Sequence, residues 1–448
     1  MSLSRELAQG AAMLEFSDLP PEVVHAAKIS LADGLAVMLA ASRLEPAATP
    51  FADHAVALGG APEATLIGRS ERTSAPLAAF ANGALAHAID FEDTFDATGV
   101  HPNAVVIPAV LALAERERTS GEDILVALAT GCDAVCRLSL AMRSDPAKRG
   151  WYFPPILGAI GATLACARLL QLPAERYVDA LSLAACQFAL TDELKRSPDS
   201  DLRAIRDSFA ARAAVEAVLL AQRGVRGVDL PLEGESGVFA TLTGLPPDAS
   251  VLLDGWGKRF HGPSVSLKLW PSCRGTHSAI AAGLALRDEG LSPDEVASAV
   301  FDVTPPDDML LEPVVQRQFP RTAIDAKFSI PFTFATALVS GSVGLADFED
   351  RAIRDARRLA VAQRVRLGRI VSDAPRFSLE LAGGRTRSVA LQLPPPMLAG
   401  LATPDQIRPK LQACLAATGA ADKTDGLLHG CLDIEQLPLN QLALLLSA

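Results

Sequence analysis

Pro20-Pro21-Glu22-Val23-Val24-His25-Ala26-Ala27-Lys28-Ile29-Ser30-Leu31-Ala32-Asp33-Gly34-Leu35-Ala36-Val37-Met38-Leu39-Ala40-Ala41 reads as a helix. Proline stands in the first turn, where its missing N–H would have no intrahelical partner, and apolar residues then recur with helical period over residues 23–41. The same punctuation repeats downstream. Ser120-Gly121-Glu122-Asp123 resembles a capping box ahead of a helix to about residue 142. Pro173-Ala174-Glu175 opens a stretch ending near residue 190, and residues 210–223 make a further helix. No strand of comparable strength competes within the first 260 or so residues.

The texture changes after Gly262-Pro263. Ala299-Val300-Phe301-Asp302-Val303-Thr304 reads as a strand stopped by Pro305-Pro306, with Ser292-Pro293-Asp294-Glu295 capping a short helix before it. Arg376-Phe377-Ser378-Leu379-Glu380-Leu381 and residues 386–393 alternate on either side of Gly383-Gly384, a hairpin signal. Between strand and hairpin, residues 331–340 and 346–369 are expected to be helical. Beyond Pro394-Pro395-Pro396 helix returns, capped by Thr403-Pro404-Asp405-Gln406, and residues 437–446 form a closing apolar segment. The expected fold is mainly α: a large all-helical domain from residues 1–266 and 400–448, and a smaller α+β domain from 267–399.

Composition fits two such bodies. The chain has 448 residues, too many for one simple core, with 49% hydrophobic and 21% charged residues. Only 5% are aromatic, so Ala, Leu and Val must fill closely packed helices. A net charge of −11 without any run of five basic residues argues against a nucleic-acid partner. The longest uncharged stretch, residues 328–346, approaches bilayer length but is broken by Pro331, Gly341 and Gly344, which makes it a buried helix with its lead-in and exit. Met1-Ser2-Leu3-Ser4-Arg5-Glu6 has no apolar segment behind a basic start, so the expected location is the cytoplasm. None of the seven cysteines forms a C-x-x-C pair; Cys132 and Cys136, one helical turn apart, read as buried thiols rather than metal ligands.

Chemistry concentrates in three places. His87-Ala88-Ile89-Asp90-Phe91-Glu92-Asp93-Thr94, then His101-Pro102, sets carboxylates, a Thr and two of only seven histidines between apolar segments. Burying such a cluster is costly, and a His tuned by a carboxylate serves as a general base near neutral pH. A solvated loop with helix caps explains the same spacing, and the ligand order of Asp90, Asp93 and His101 matches no known metal motif. Lys268-Leu269-Trp270-Pro271-Ser272-Cys273-Arg274-Gly275-Thr276-His277 supplies cations and a helix N-terminus for a carboxylate, or is a basic linker. Arg203, Arg206 and Arg212 surround Asp207-Ser208-Phe209; Arg203 and Arg206 share a helical face and could clamp a diacid, or pair with nearby aspartates at the surface. Glycine-rich phosphate fingerprints are absent, so no nucleotide cofactor is implied.

Asn82-Gly83-Ala84-Leu85-Ala86-His87-Ala88-Ile89-Asp90-Phe91-Glu92-Asp93-Thr94, His101-Pro102 and Pro108-Ala109-Val110-Leu111-Ala112-Leu113-Ala114-Glu115 together resemble the signature of the MmgE/PrpD family. That family includes 2-methylcitrate dehydratase, cis-aconitate decarboxylase and iminodisuccinate epimerase. Lys268-Leu269-Trp270-Pro271-Ser272-Cys273-Arg274 with His277, and Ala326-Lys327-Phe328-Ser329-Ile330-Pro331-Phe332, extend the resemblance to residues 31–348. It implies a helical domain built from both termini, an α+β lid domain, an active site between them, and a homodimer without metal or cofactor. By resemblance Asp90, Thr94, His101 and Lys268 are the catalytic residues, with Phe153, Arg203, Cys273, Arg274, His277 and Phe332 lining the substrate.

Three positions depart from the family's lyases. Where those resemble one another in a second His before a Pro, a Lys, and a Tyr in a Ser-x-x-Tyr motif, this chain has Phe153, Arg203 and Phe332. The two phenylalanines cannot titrate, and Arg203 is too basic to shuttle a proton. The expected reaction is proton abstraction next to a carboxylate of a small di- or tricarboxylic acid, with His101 as base oriented by Asp90. Loss of a β-hydroxyl makes a dehydratase-like lyase, reprotonation on the opposite face an epimerase, and loss of CO2 a decarboxylase. A carboxylate-binding protein without catalysis is the rival from another class.

Overall fold

Helix α1 (Pro21–Leu44) realises the opening stretch, with proline in its first turn and nearly every residue from Ile29 to Ala41 buried. The structure, a computed structural model, describes residues 2–197, 199–437 and 439–446. Met1, Pro198, Pro438, Ser447 and Ala448 lie outside the described residues, so the expected closing segment 437–446 is described except at Pro438. By length and composition α1 could cross a membrane, yet 72% of its most apolar window is buried inside the protein. Among the helices packed against it are α2 (Ala75–Ala86), α3 (Pro102–Glu117) and α4 (Gly121–Leu140). Ser120 caps α4 by accepting from the N–H of Asp123 at 3.1 Å, as its capping signature requires.

Helices α5 (Pro154–Leu169), α6 (Ala174–Ala185) and α7 (Ser208–Gln222) complete the run. α5 packs along α3 and α4, and α7 lies against α2, α5 and α6. These contacts are built from alanine, valine and glycine, whose small side chains let the axes approach closely. Cys132 and Cys136 are buried thiols of α4, and burial drives the Cys136 thiol well up, away from the thiolate a metal needs.

Further along come α8 (His277–Asp288), β1 (Val296–Val303), α9 (Ile330–Ser340), α10 (Ala356–Ala362), β2 (Val365–Ile370), β3 (Arg376–Leu381) and β4 (Thr386–Ala390). The sheet order is β2-β1-β3-β4, with β1 parallel to β2 and antiparallel to β3. Phe301, Phe377 and Phe334 meet at 5.4 to 5.9 Å between ring centroids, which seats α9 on the sheet. Gly383 and Gly384, at φ 97° and 80°, make the expected hairpin turn.

One expectation fails. Residues 346–369 do not form one helix: a single turn at Leu345–Phe348 and short helices at Asp350–Ile353 and α10 give way to strand β2. Arginines at 351, 354, 357 and 358 keep helical spacing, but Val365, Arg366 and Leu367 pair with Ala299, Val300 and Phe301. That partner lies far away in sequence, so no local pattern announces it.

After β4 the chain returns to helix in α11 (Pro404–Ala416) and α12 (Thr424–Leu432), both packed on α1. Contacts divide the chain into a first unit, Met1–Arg196 with Asp201–Leu267 and Met397–Ala448, and a second, Ser197–Ser200 with Lys268–Pro396. The first is helical apart from two-residue strand pairs and the second is α+β, so the mainly α fold class read from the sequence holds.

Candidate active site

The polar cluster of the first unit grows from the end of α2. Gly83 lets α2 lie close to the start of α7: a Cβ there would stand 3.0 Å from the Ser208 backbone and 3.1 Å from the Asp207 carbonyl. One turn later the helix stops, and residues 87–101 form a loop, buried over 87–95, that leads into α3. Asp90 sits in the left-handed region at φ 52°, a strained setting for a residue other than glycine, and its N–H is held by the His87 carbonyl at 2.7 Å. Thr94 is buried and exchanges backbone hydrogen bonds of 2.8 Å with Ser266.

Two imidazoles share one carboxylate in this loop. His87 Nδ1 lies 2.5 Å, and His101 Nδ1 2.8 Å, from the same Oε1 of Glu92. His101 Nδ1 also faces the Asp93 carbonyl oxygen at 2.8 Å. A carbonyl only accepts, so His101 carries its proton on Nδ1 and presents Nε2 as the basic nitrogen. The carboxylate on His101 therefore belongs to Glu92, and the expectation that Asp90 orients this ring is corrected: the Asp90 carboxylate lies 3.7 Å from His87 Nδ1. The physical reason is the left-handed turn at Asp90, which redirects the chain so that the carboxylate two residues on meets both rings.

Burial sets the protonation around this pair. It pushes His87 down to about 4, helped by the nearby Arg206 charge, so His87 is neutral at pH 7 and donates to Glu92. It raises Asp93 to about 7, against the hydrogen bond that Asn103 gives its Oδ2 at 2.6 Å. Asp207 rises to about 6 for the same reason, opposed by Arg206. Arg206 donates to the Tyr152 hydroxyl and lies over that ring at 5.1 Å. Beneath the loop a cavity of about 10 Å³, room for roughly one water, is lined by Asp33, Glu92, Asp93 and Asn103.

His87, Glu92 and His101 bring three donor atoms within 4.8 Å of one another, the spacing of a possible metal site. In this arrangement His87 Nδ1 hydrogen-bonds Glu92 and His101 Nδ1 donates to the Asp93 carbonyl, which leaves Nε2 as the ligand nitrogen of either ring.

Of the residues expected from sequence, Asp90, Thr94 and His101 come together in this loop. Arg203 is buried in the one-turn helix Leu202–Ile205 before α7, and half-buried Phe153 precedes α5. In the second unit Lys268 is buried, and the Cys273 N–H donates to the Lys327 carbonyl at 3.0 Å. Arg274 donates to His277 Nδ1 at 3.3 Å, so that nitrogen is the acceptor of its ring, and His277 packs edge-on to Trp270 at 5.1 Å. Phe332 is fully buried in a hydrophobic cluster with Ile280, Val343, Phe348 and Ile353.

His87, Glu92, Tyr152, Arg206 and Asp207 join the site without having been assigned to it from sequence. Glu92 and His87 stood inside the quoted signature, and Arg206 three residues past Arg203, but nothing local pairs Glu92 with both histidines or Arg206 with Tyr152.

Compared with known proteins, residues 5–249 match the MmgE/PrpD N-terminal domain and residues 270–432 the MmgE/PrpD C-terminal domain. The chain is 28% identical to a cis-aconitate decarboxylase-like protein of Aspergillus oryzae over 79% of this chain and 76% of that one. It is 25% identical to the mouse cis-aconitate decarboxylase over 70% of this chain, and 26% identical to that of Aspergillus terreus over 62%. These two matches span 65% and 59% of the mouse and A. terreus enzymes, less than two thirds of either.

Proposed function

We propose that this chain, which belongs to the MmgE/PrpD family, is a cofactor-independent lyase that abstracts a proton next to a carboxylate of a small di- or tricarboxylic acid. The observation that carries this reading is the tautomer of His101: Nδ1–H donates to the Asp93 carbonyl, Glu92 Oε1 stands 2.8 Å from the same nitrogen, and Nε2 is the basic nitrogen. Nε2 takes the C–H proton, and the electron pair moves into an enolate-like dianion. Glu92 stabilises the imidazolium that forms, the service a carboxylate gives the histidine of a catalytic triad. Arg203 and Lys268 are the proposed cations for the growing negative charge. As the β-hydroxyl leaves, His101 returns its proton and water departs. Thr94 is the proposed hydrogen-bond partner of the leaving group.

A second reading, decarboxylation, is favoured by the names of the relatives, which makes cis-aconitate the first compound to assay. Half-buried Phe153 points instead to a smaller diacid, because its ring offers neither a proton nor a hydrogen bond to a third carboxylate, whereas Phe332, expected to line the substrate, is enclosed in its hydrophobic cluster and presents no surface to a ligand. Epimerisation uses the same base with a proton returned to the opposite face.

The test is proton NMR of the purified protein in D2O with 2-methylcitrate, cis-aconitate and smaller diacids. Loss of the α-proton signal with water elimination supports the lyase, exchange with inversion the epimerase, and CO2 release the decarboxylase. Absence of exchange and product across the panel sinks the proposal. Cytoplasmic location and a homodimer belong to the same proposal. The dimer is supported by Phe209, 55% exposed at the start of α7 where it packs on Phe51 and Phe80. Light scattering at micromolar concentration is expected to give about twice the 47.0 kDa chain mass.

A further inference from the structure

We propose that Lys410, on the C-terminal helix α11, is a positioning residue for the reaction: its ammonium holds the peptide between Phe91 and Glu92 so that the Glu92 carboxylate meets His101. The proposal rests on residues 87–101 being the active-site loop and goes beyond that reading by assigning the geometry of the loop to a side chain more than 300 positions away.

Three contacts place the ammonium. Lys410 Nζ donates to the Phe91 carbonyl at 2.7 Å, lies 2.6 Å from Oδ1 of Asp33 on α1, and stands 4.2 Å from the centroid of the Phe91 ring. Both partners of the ion pair are shielded, with side-chain exposures of 10% for Lys410 and 1% for Asp33. Exposed ion pairs hold little, but removing one partner of a buried pair leaves the other as an uncompensated charge. The ammonium is also a cation over an aromatic face, which fixes the ring as well as the carbonyl.

The place where it acts is the weak point of the loop. Asp90 is in the left-handed region, so the chain relaxes unless its neighbours are held on both sides. His87 anchors the N-terminal side through the Asp90 N–H, and the Thr94–Ser266 pair anchors the far side. Between them lies Phe91, whose carbonyl belongs to the peptide that launches Glu92, and Lys410 grips that carbonyl. A tilt of this peptide displaces Glu92 Oε1 from both histidines, and misplacement by about 1 Å costs on the order of 10²-fold in rate. Asp33 lines the same small cavity as Glu92 and Asp93, so the ion pair and the site carboxylates share one enclosed space.

The experiment uses full-length protein carrying Lys410→Met, and the double variant Asp33→Asn with Lys410→Met, which removes both charges. Four quantities are read: the thermal midpoint, kcat, KM and the ¹⁵N shifts of the His101 ring. Lys410→Met should lower the midpoint and reduce kcat on the order of 10- to 100-fold, with KM within about threefold. The double variant should recover most of the midpoint while kcat stays low and the His101 Nδ1 resonance stays displaced. Recovery of both stability and kcat in the double variant overturns the proposal, because the pair then only neutralises itself. If no carboxylate proves to be a substrate, the ring shifts decide alone: displaced in both variants they support the positioning role, and unchanged they overturn it.

Discussion

The loop at 87–101 and the loop at 268–277 are each rich in polar residues, yet they are built for different work. In the first, two histidines converge on one buried carboxylate and a backbone carbonyl fixes which nitrogen of His101 is basic. In the second, His277 spends its Nδ1 accepting from Arg274 and its face on Trp270, while lysine and arginine supply positive charge. A histidine becomes a base through what its other nitrogen is tied to. The proposed function accordingly gives proton transfer to the first loop and charge to the second.

The largest effect should come from His101→Ala. Turnover should fall by about 10²–10⁴-fold, with ligand affinity by calorimetry close to wild type. Wild-type kcat in this variant would break the comparison, since His101 would then be a structural residue. Lys268→Met should act on the other quantity, weakening carboxylate binding roughly 10-fold, a loss visible in KM or in a binding titration. If Lys268→Met lowered kcat alone, the second loop would share the proton chemistry.

A smaller effect concerns stability against pH. Burial raises Asp93 to about 7, so the folded protein binds a proton there that the unfolded chain has released above its ordinary carboxylate range. That contribution is fully present below about pH 4 and is lost as pH rises through 7. Buried His87, lowered to about 4, works in reverse: its contribution is present above about 6.5 and is lost as pH falls through 4. Between pH 6.5 and 8 the Asp93 contribution is still changing, as is that of Asp307, which burial also raises to about 7. Asp93→Asn should therefore lose less stability than wild type from pH 6.5 to 8 in denaturant titrations. Parallel curves for the two proteins would show that Asp93 is already ionised in the folded state.

Much of the architecture was legible because it is local. Proline and Ser-x-x-Asp punctuation announced α1 and α4, and Gly383-Gly384 announced the hairpin, since each device acts within a few residues of the element it bounds. β2 looks helical in the sequence because its strand character comes from pairing with β1 some 65 residues earlier, while the arginines at 351, 354, 357 and 358 just before it keep helical spacing. The site divides in the same way. The signature around His87 and His101 marked the segment in which the two histidines meet, but it suggested Asp90 as the partner of His101, and the left-handed turn at Asp90 delivered Glu92 instead.

By itself the sequence determined the helical class, the α+β segment and the family, and it marked the polar segment from which the proposed base is drawn. These follow from period, capping and motif, all of which are short-range. Only the tertiary structure decided which nitrogen of His101 is basic, that Arg206 meets Tyr152, and that Lys410 and Asp33 grip the loop. Each is a contact between atoms distant along the chain, made in a buried space where hydrogen bonds and charges act over a few ångströms, and distance along a sequence carries no record of that.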